Sequence, residues 1–183
     1  MKGRVLLISV CKEKLHELEF VKPIEDILKK EGANYFIRDY KEIKKEDLEK
    51  SSKIIICGTS LADNKFTENL DKFSWIKSFN KPLFGICAGM QIIGLIYGGN
   101  LKEKTEIGFF REEITKSFLG FNGVVNVYHL HNKYVCFSKL KDFKIFNQGE
   151  ISQAVKHKDK EIYGTLFHPE VRNKGIIEGF IHL

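Results

Sequence analysis

Several features are missing from this chain, and each absence narrows what the protein can do. No apolar run approaches the roughly 20 residues that a membrane-spanning helix needs. The first apolar stretch, Val5 to Val10, is too short for a secretory signal and reads as a β-strand. Only three prolines occur in 183 residues, and no Gly/Ser/Pro-rich tract or internal repeat offers a linker on which to divide the chain. Four cysteines, Cys11, Cys57, Cys87 and Cys136, stand far apart, so neither a disulfide framework nor a zinc knuckle is indicated. A phosphate-binding loop and a dinucleotide glycine fingerprint are both lacking. The expectation is one domain over residues 1–183, free of membrane and nucleotide, in a reducing cytoplasm.

What is present fits that frame. A hydrophobic content of 43% is enough for one real core. The net charge of +6 would suit nucleic acid, but 30 basic residues are interleaved with 24 acidic ones along stretches such as Lys41 to Lys50. Such alternation marks a solvated helix face. Without a stacked-aromatic or arginine-rich signature, no nucleic-acid partner is expected, and the charge favours solubility or an acidic protein partner.

Along the first hundred residues apolar strands alternate with amphipathic stretches. The pattern predicts strand Arg4–Val10, a helix from about Leu15 to Glu31 stopped by Gly32, strand Asn34–Arg38 and a short charged helix. Strand Lys53–Cys57, a helix from about Phe66 to Ser78, strand Pro82–Ile86 and another helix complete the series. Strands separated by helices imply a doubly wound α/β fold: a mostly parallel central sheet with flanking helices. From Leu101 the runs are shorter and β-like, at Val124–Tyr128, Tyr134–Phe137, Lys144–Asn147, Ile151–Lys156 and Ile162–Phe167, before a closing helix at Gly175–Phe180. A β-rich C-terminal half, as a mixed sheet edge or an antiparallel flap, is expected.

One cysteine falls where chemistry is expected. Residues 85–91 read Gly-Ile-Cys-Ala-Gly-Met-Gln between a strand and a helix. Glycines two residues to either side of Cys87 remove β-carbons that would clash in a sharp strand-to-helix turn, the cysteine form of a nucleophile elbow. The helix N-terminus favours a thiolate, and the Ala88 N–H points where an oxyanion would form. Cys11, Cys57 and Cys136 lack those glycines and border apolar strands, so they read as small buried hydrophobes. Far downstream the chain reads Phe-His-Pro-Glu-Val. In an extended segment His168 and Glu170 share a face, with Pro169 keeping the backbone out of a helix. Glu170 would orient the imidazole, and His168 would serve as base and acid to Cys87.

The pair Gly-Ile-Cys-Ala-Gly-Met-Gln and His-Pro-Glu, in that order, resembles the class I, or triad-type, glutamine amidotransferases. The resemblance implies a flavodoxin-like sheet and a Cys87–His168–Glu170 triad. That triad would release ammonia from the side-chain amide of glutamine through a thioester, for a separate synthase partner in trans. It also puts Ala88 and Gln91 at oxyanion and elbow positions and makes Gly58, after strand Lys53–Cys57, a second oxyanion donor. The family's usual Gly-Gly-Pro turn is here Gly58-Thr59-Ser60, and Thr59 lacks the positive-φ freedom of glycine. Strand alternation sets His129 and His131 on one face and Leu130 on the other. The resemblance makes His131 a candidate glutamine-pocket residue, and two polar side chains on an open strand face is the competing reading. Asp63 and Asn64 read as a turn and helix cap. No metal or organic cofactor is called for, since thiolate and imidazole suffice. Two alternatives stay open: a γ-glutamyl or related hydrolase with the same three residues, and a non-catalytic regulatory homologue.

Overall fold

The computed structural model describes residues 3–183. A seven-stranded sheet runs in the order β2-β1-β3-β4-β9-β8-β7. Its strands are β1 (Arg4–Ser9), β2 (Asn34–Asp39), β3 (Ser51–Ile56), β4 (Leu83–Ile86), β7 (Phe143–Ile145), β8 (Ala154–His157) and β9 (Ile162–Thr165). β2, β1, β3, β4 and β9 are mutually parallel, and β8 and β7 add antiparallel at the edge.

Period-two alternation explains the two-faced burial. Leu6 and Ile8 of β1 and Ile54 and Ile56 of β3 enter one core, whereas Val5, Leu7 and Ile55 enter the other. On the first face lie Phe66, Phe73 and Ile76 of the Lys65–Lys77 segment, with Met90, Ile92 and Ile93 of α4 (Ala88–Ile96). The second face is covered by Ile24, Ile27 and Leu28 of α2 (Lys22–Lys30) and by Ile176, Ile177 and Phe180 of α5 (Lys174–Ile181). Layers on both faces of a parallel sheet are the doubly wound arrangement the sequence predicts.

The differences have local causes. The single helix expected over 15–31 is broken into α1 (Glu17–Phe20) and α2, and Pro23 falls in the first turn of α2, where its missing N–H is no loss. Gly32 does stop α2, with φ of 63°. The short charged helix is α3 (Lys45–Lys50). The segment expected as a helix over 66–78 is instead 3₁₀ over Lys65–Lys77, interrupted at Asn69 (φ −131°, ψ 36°). The largest departure is a two-stranded ribbon of β5 (Leu101–Phe118) and β6 (Phe121–Val135). β6 joins two runs that read as separate in the sequence, and β5 has no apolar signature because charged and other polar residues fill most of its length. Leu119 (φ 47°) and Gly120 (φ 88°) form the two-residue turn, both in the left-handed region that suits a tight hairpin.

Candidate active site

Because β3, β4 and β9 are adjacent and parallel, the chain leaves all three at one rim of the sheet, where open α/β sheets place their ligands. Gly58 follows β3, Cys87 follows β4, and Leu166 to Glu170 follow β9. Residues far apart in sequence are thereby brought together by sheet order.

Cys87 caps α4 with φ 49° and ψ −102°. Among the described residues only Leu119 shares a positive φ without being glycine, and strain of this kind persists only where surrounding structure enforces it. That enforcement is visible. The Cys87 N–H donates to the Thr165 carbonyl of β9 at 2.7 Å. A β-carbon on Gly89 would lie 2.3 Å from the Ile56 carbonyl oxygen, and one on Gly85 would lie 2.5 Å from the Gly89 carbonyl carbon. The flanking glycines therefore let α4 seat directly against β3 and β4. The Cys87 thiol faces the Leu130 carbonyl at 3.7 Å and is 3% exposed.

The His168 backbone N–H donates to Tyr128 of β6 at 2.8 Å, which sets the depth of the side chain. Its Nδ1 lies 2.7 Å from Glu170 Oε1, and both side chains are essentially sealed from water. The sequence predicts an extended His-Pro-Glu segment; the chain turns instead, with the Val171 N–H donating to the His168 carbonyl at 3.2 Å. Pro169 occupies the second position of that turn, which its fixed φ suits, and the turn folds Glu170 back onto the ring. Burial alone would drive the proton off His168, but the charges of Glu170 and Cys87 outweigh it and raise its proton affinity well above the ordinary histidine value. The other ring nitrogen, Nε2, has no hydrogen-bond partner among the described residues.

Gly58 packs on this ring: a β-carbon there would lie 2.7 Å from His168 Cε1, and the Phe20 ring closes the same side at 5.6 Å between centroids. Thr59 keeps an ordinary negative φ, so its replacement of glycine demands no strain. The Thr59 hydroxyl donates to Asp63 Oδ2 at 2.8 Å, and Asp63 also accepts from the Lys12 and Lys65 N–H groups. Asp63 is thus the brace of the 58–64 loop, while Asn64 makes no side-chain cap.

Between this loop and β6 lies a narrow cleft of about 20 Å³, lined by Thr59, Leu61, Cys87, Gln91, Leu130 and His131 among others. Ala88 borders it at the first turn of α4, where helix N–H groups lack intrahelical partners. Gln91 lines the cleft, and its Nε2 donates to the Lys133 carbonyl at 2.8 Å. His131 reaches the cleft wall but is buried, as is His129. The open-face reading of the two histidines is overturned, because β5 covers that face with Glu106 and Glu112. Two participants escape sequence reasoning: Glu106, whose relevance depends on ribbon register, and Asn132, whose Nδ2 donates to Leu61 O at 3.0 Å across the cleft.

A cysteine on an elbow, a buried histidine–carboxylate pair beside it and a doubly wound sheet define a class, and comparison agrees: the family described as Glutamine amidotransferase class-I matches residues 16–176, so the chain belongs to it. The relatives are more particular. Over 120 residues the chain is 32% identical to a glutamine-hydrolyzing GMP synthase subunit of Methanobrevibacter smithii, covering 60% of this chain and 63% of that one. Over 127 residues it is 35% identical to the protein of the same name from Pyrococcus furiosus, covering 64% and 65%. The matches thus span somewhat less than two thirds of those relatives. A crystal structure described as that of a GMP synthase subunit from Thermoplasma acidophilum superposes with a TM-score of 0.86 at 21% identity, covering 100% of this chain and 94% of that one. At that identity it speaks for the fold. No helix among the described residues is long and apolar enough to cross a membrane.

Proposed function

We propose that this protein hydrolyses the side-chain amide of glutamine and supplies the ammonia to a separate synthase subunit, with GMP synthesis the process its relatives favour. The observation that carries the reading is the 2.7 Å His168–Glu170 pair at the same rim as the strained Cys87 elbow. In the proposed reaction Cys87 passes its proton to His168 Nε2, and the sulfur attacks the amide carbonyl carbon. The oxyanion so formed accepts from the backbone N–H groups of Ala88 and Gly58. His168 returns the proton to the leaving nitrogen, the C–N bond breaks, and ammonia departs from a thioester. Water then gives a proton to His168 and attacks the thioester, the C–S bond breaks, and glutamate and the free thiol are restored. Glu170 holds the imidazole in its tautomer and offsets its charge throughout.

The cleft has room for about one water molecule and not for an amino acid. Entry of glutamine by this cleft would part the 58–64 loop from residues 130–132, which Asn132 and Leu61 now join. In the decisive experiment, glutamate release from glutamine is measured for the purified protein and for Cys87→Ala, alone and with the synthetase component of a GMP synthase. Cysteine-dependent release that rises with that component supports the proposal. Equal release by the two proteins defeats it, and cleavage of γ-glutamyl peptides in preference to glutamine would assign the triad to a hydrolase instead.

A further inference from the structure

The ribbon carries a second cluster of chemistry that the proposed reaction does not use. In the β5–β6 register Glu106 stands opposite His131, and His129 is opposite Gly108, two residues along the same face. The three side chains consequently converge. Glu106 Oε2 is 3.0 Å from His131 Nε2 and 3.9 Å from His129 Nδ1, and one ligand atom from each of the three residues lies within 4.8 Å of the others. Two donor atoms sharing a tetrahedral zinc ion at bond lengths near 2.05 Å stand about 3.3 Å apart, so these two separations bracket what an ion would impose.

The hydrogen bonding around these side chains turns donor atoms toward one another. His129 Nε2 is 3.2 Å from Glu112 Oε1, so Nε2 donates to that carboxylate and Nδ1 is the nitrogen turned toward Glu106. That Nδ1 and the Nδ1 of His131 are buried without a hydrogen-bond partner among the described residues, although His129 is 0% and His131 2% exposed, while His131 Nε2 faces Glu106 alone. Orphaned polar atoms at such depth are costly unless something satisfies them. Gln153 Nε2 donates to Glu106 Oε2 at 3.1 Å and so holds the carboxylate in place. Charge points the same way. Among the described residues the ion-pair partners of Glu106 and Glu112 are these two imidazoles alone.

We propose that Glu106, His129 and His131 bind one divalent transition-metal ion, zinc foremost, through Oε2, Nδ1 and Nε2 respectively, with water completing the tetrahedron. Two imidazoles and a carboxylate are a donor set suited to that ion. Glu112 supports it as the carboxylate behind a ligating histidine. Glu106, 14% exposed, provides the way in. The site clamps β5 to β6 and fixes residues 129–131, the segment whose Leu130 carbonyl meets the Cys87 thiol.

The test uses the full chain, stripped with chelator and titrated with Zn²⁺ against a chromophoric competitor, and with Co²⁺ for its visible absorption. Expected are one equivalent of either metal and a tetrahedral Co²⁺ spectrum. Glu106→Gln and His129→Gln should each weaken Zn²⁺ binding at least about a hundredfold, and Glu112→Gln about ten- to a hundredfold. Cys87→Ser should bind as wild type. Absence of stoichiometric binding overturns the proposal, as does binding that survives both ligand variants or disappears in Cys87→Ser. Should a variant fail to fold, anomalous diffraction at the zinc edge from metal-soaked wild-type crystals decides: a peak among the three side chains sustains the site, and no peak there refutes it.

Discussion

Replacing Glu170 by Gln keeps the volume of the side chain and removes its charge, which isolates what the carboxylate does for His168. The wild-type contact is a 2.7 Å bond between buried partners, and a hydrogen bond to a charged group contributes about 1.5–3 kcal/mol. Its loss should lower the proton affinity of His168. Burial then acts with less opposition, since Cys87 alone still raises the value. Turnover should fall at least ten- to a hundredfold, and by as much as about 10⁴ if the Gln amide donates to Nδ1 and enforces the wrong tautomer. The sign of the stability effect follows from the direction of the shift. His168 has a folded-state value above the ordinary 6.5, so its ionisation stabilises the fold fully below about pH 6.5, and that contribution is lost as pH rises through the raised value. Melting curves of wild type and Glu170→Gln should accordingly differ most in mild acid and converge in alkali. Glutamate release gives the turnover, and imidazole NMR gives the titration of His168. An unchanged His168 titration together with unchanged turnover would refute the pairing as the source of either effect.

Three further outcomes are expected. Gly58→Ala sets a β-carbon 2.7 Å from His168 Cε1; displacing the ring by a fraction of an ångström to an ångström should cost about 10²-fold in turnover, and turnover within twofold of wild type would contradict the packing. Cys87→Gly and Cys87→Ala should both be inactive, yet the Gly form should be the more stable by about 1 kcal/mol, because glycine tolerates φ of 49°; equal denaturant midpoints would show that the elbow stores no strain. Asn132→Ala removes the bond to Leu61 O across the cleft and should raise glutamine turnover without the synthase severalfold, measured by steady-state glutamate release; a rate no higher than wild type would show that this bond does not hold the cleft shut.

Much of the sheet is legible in the sequence because its signals are local. Alternation within β1 and β3 and the glycines about Cys87 declare strand and elbow without reference to anything distant. The His-Pro-Glu string marks the histidine–carboxylate pair even though it does not reveal the turn that joins them. The ribbon is not legible, since β5 spends its side chains on solvent and on one partner strand rather than on a core. Its only deeply buried positions are Ile114 and Phe118, too few for a hydrophobic period to emerge. Everything that depends on the β5–β6 register is hidden for the same reason, including Glu106 facing His131.

That hidden register is also what completes the rim. Sheet order alone brings Gly58, Cys87 and His168 to one edge, but it leaves the space above them open. β6 closes it, accepting the His168 N–H at Tyr128, presenting the Leu130 carbonyl to the thiol and tying Lys133 to Gln91 of the elbow helix. One strand thus contacts both the nucleophile and the backbone of the base, and any force that shifts it alters the Cys87 and His168 environments together. A ligand held between β5 and β6, or a protein docked on the ribbon, would act on the cleft through these three backbone carbonyls, and its effect can be followed by the exchange of the Tyr128-bound His168 amide.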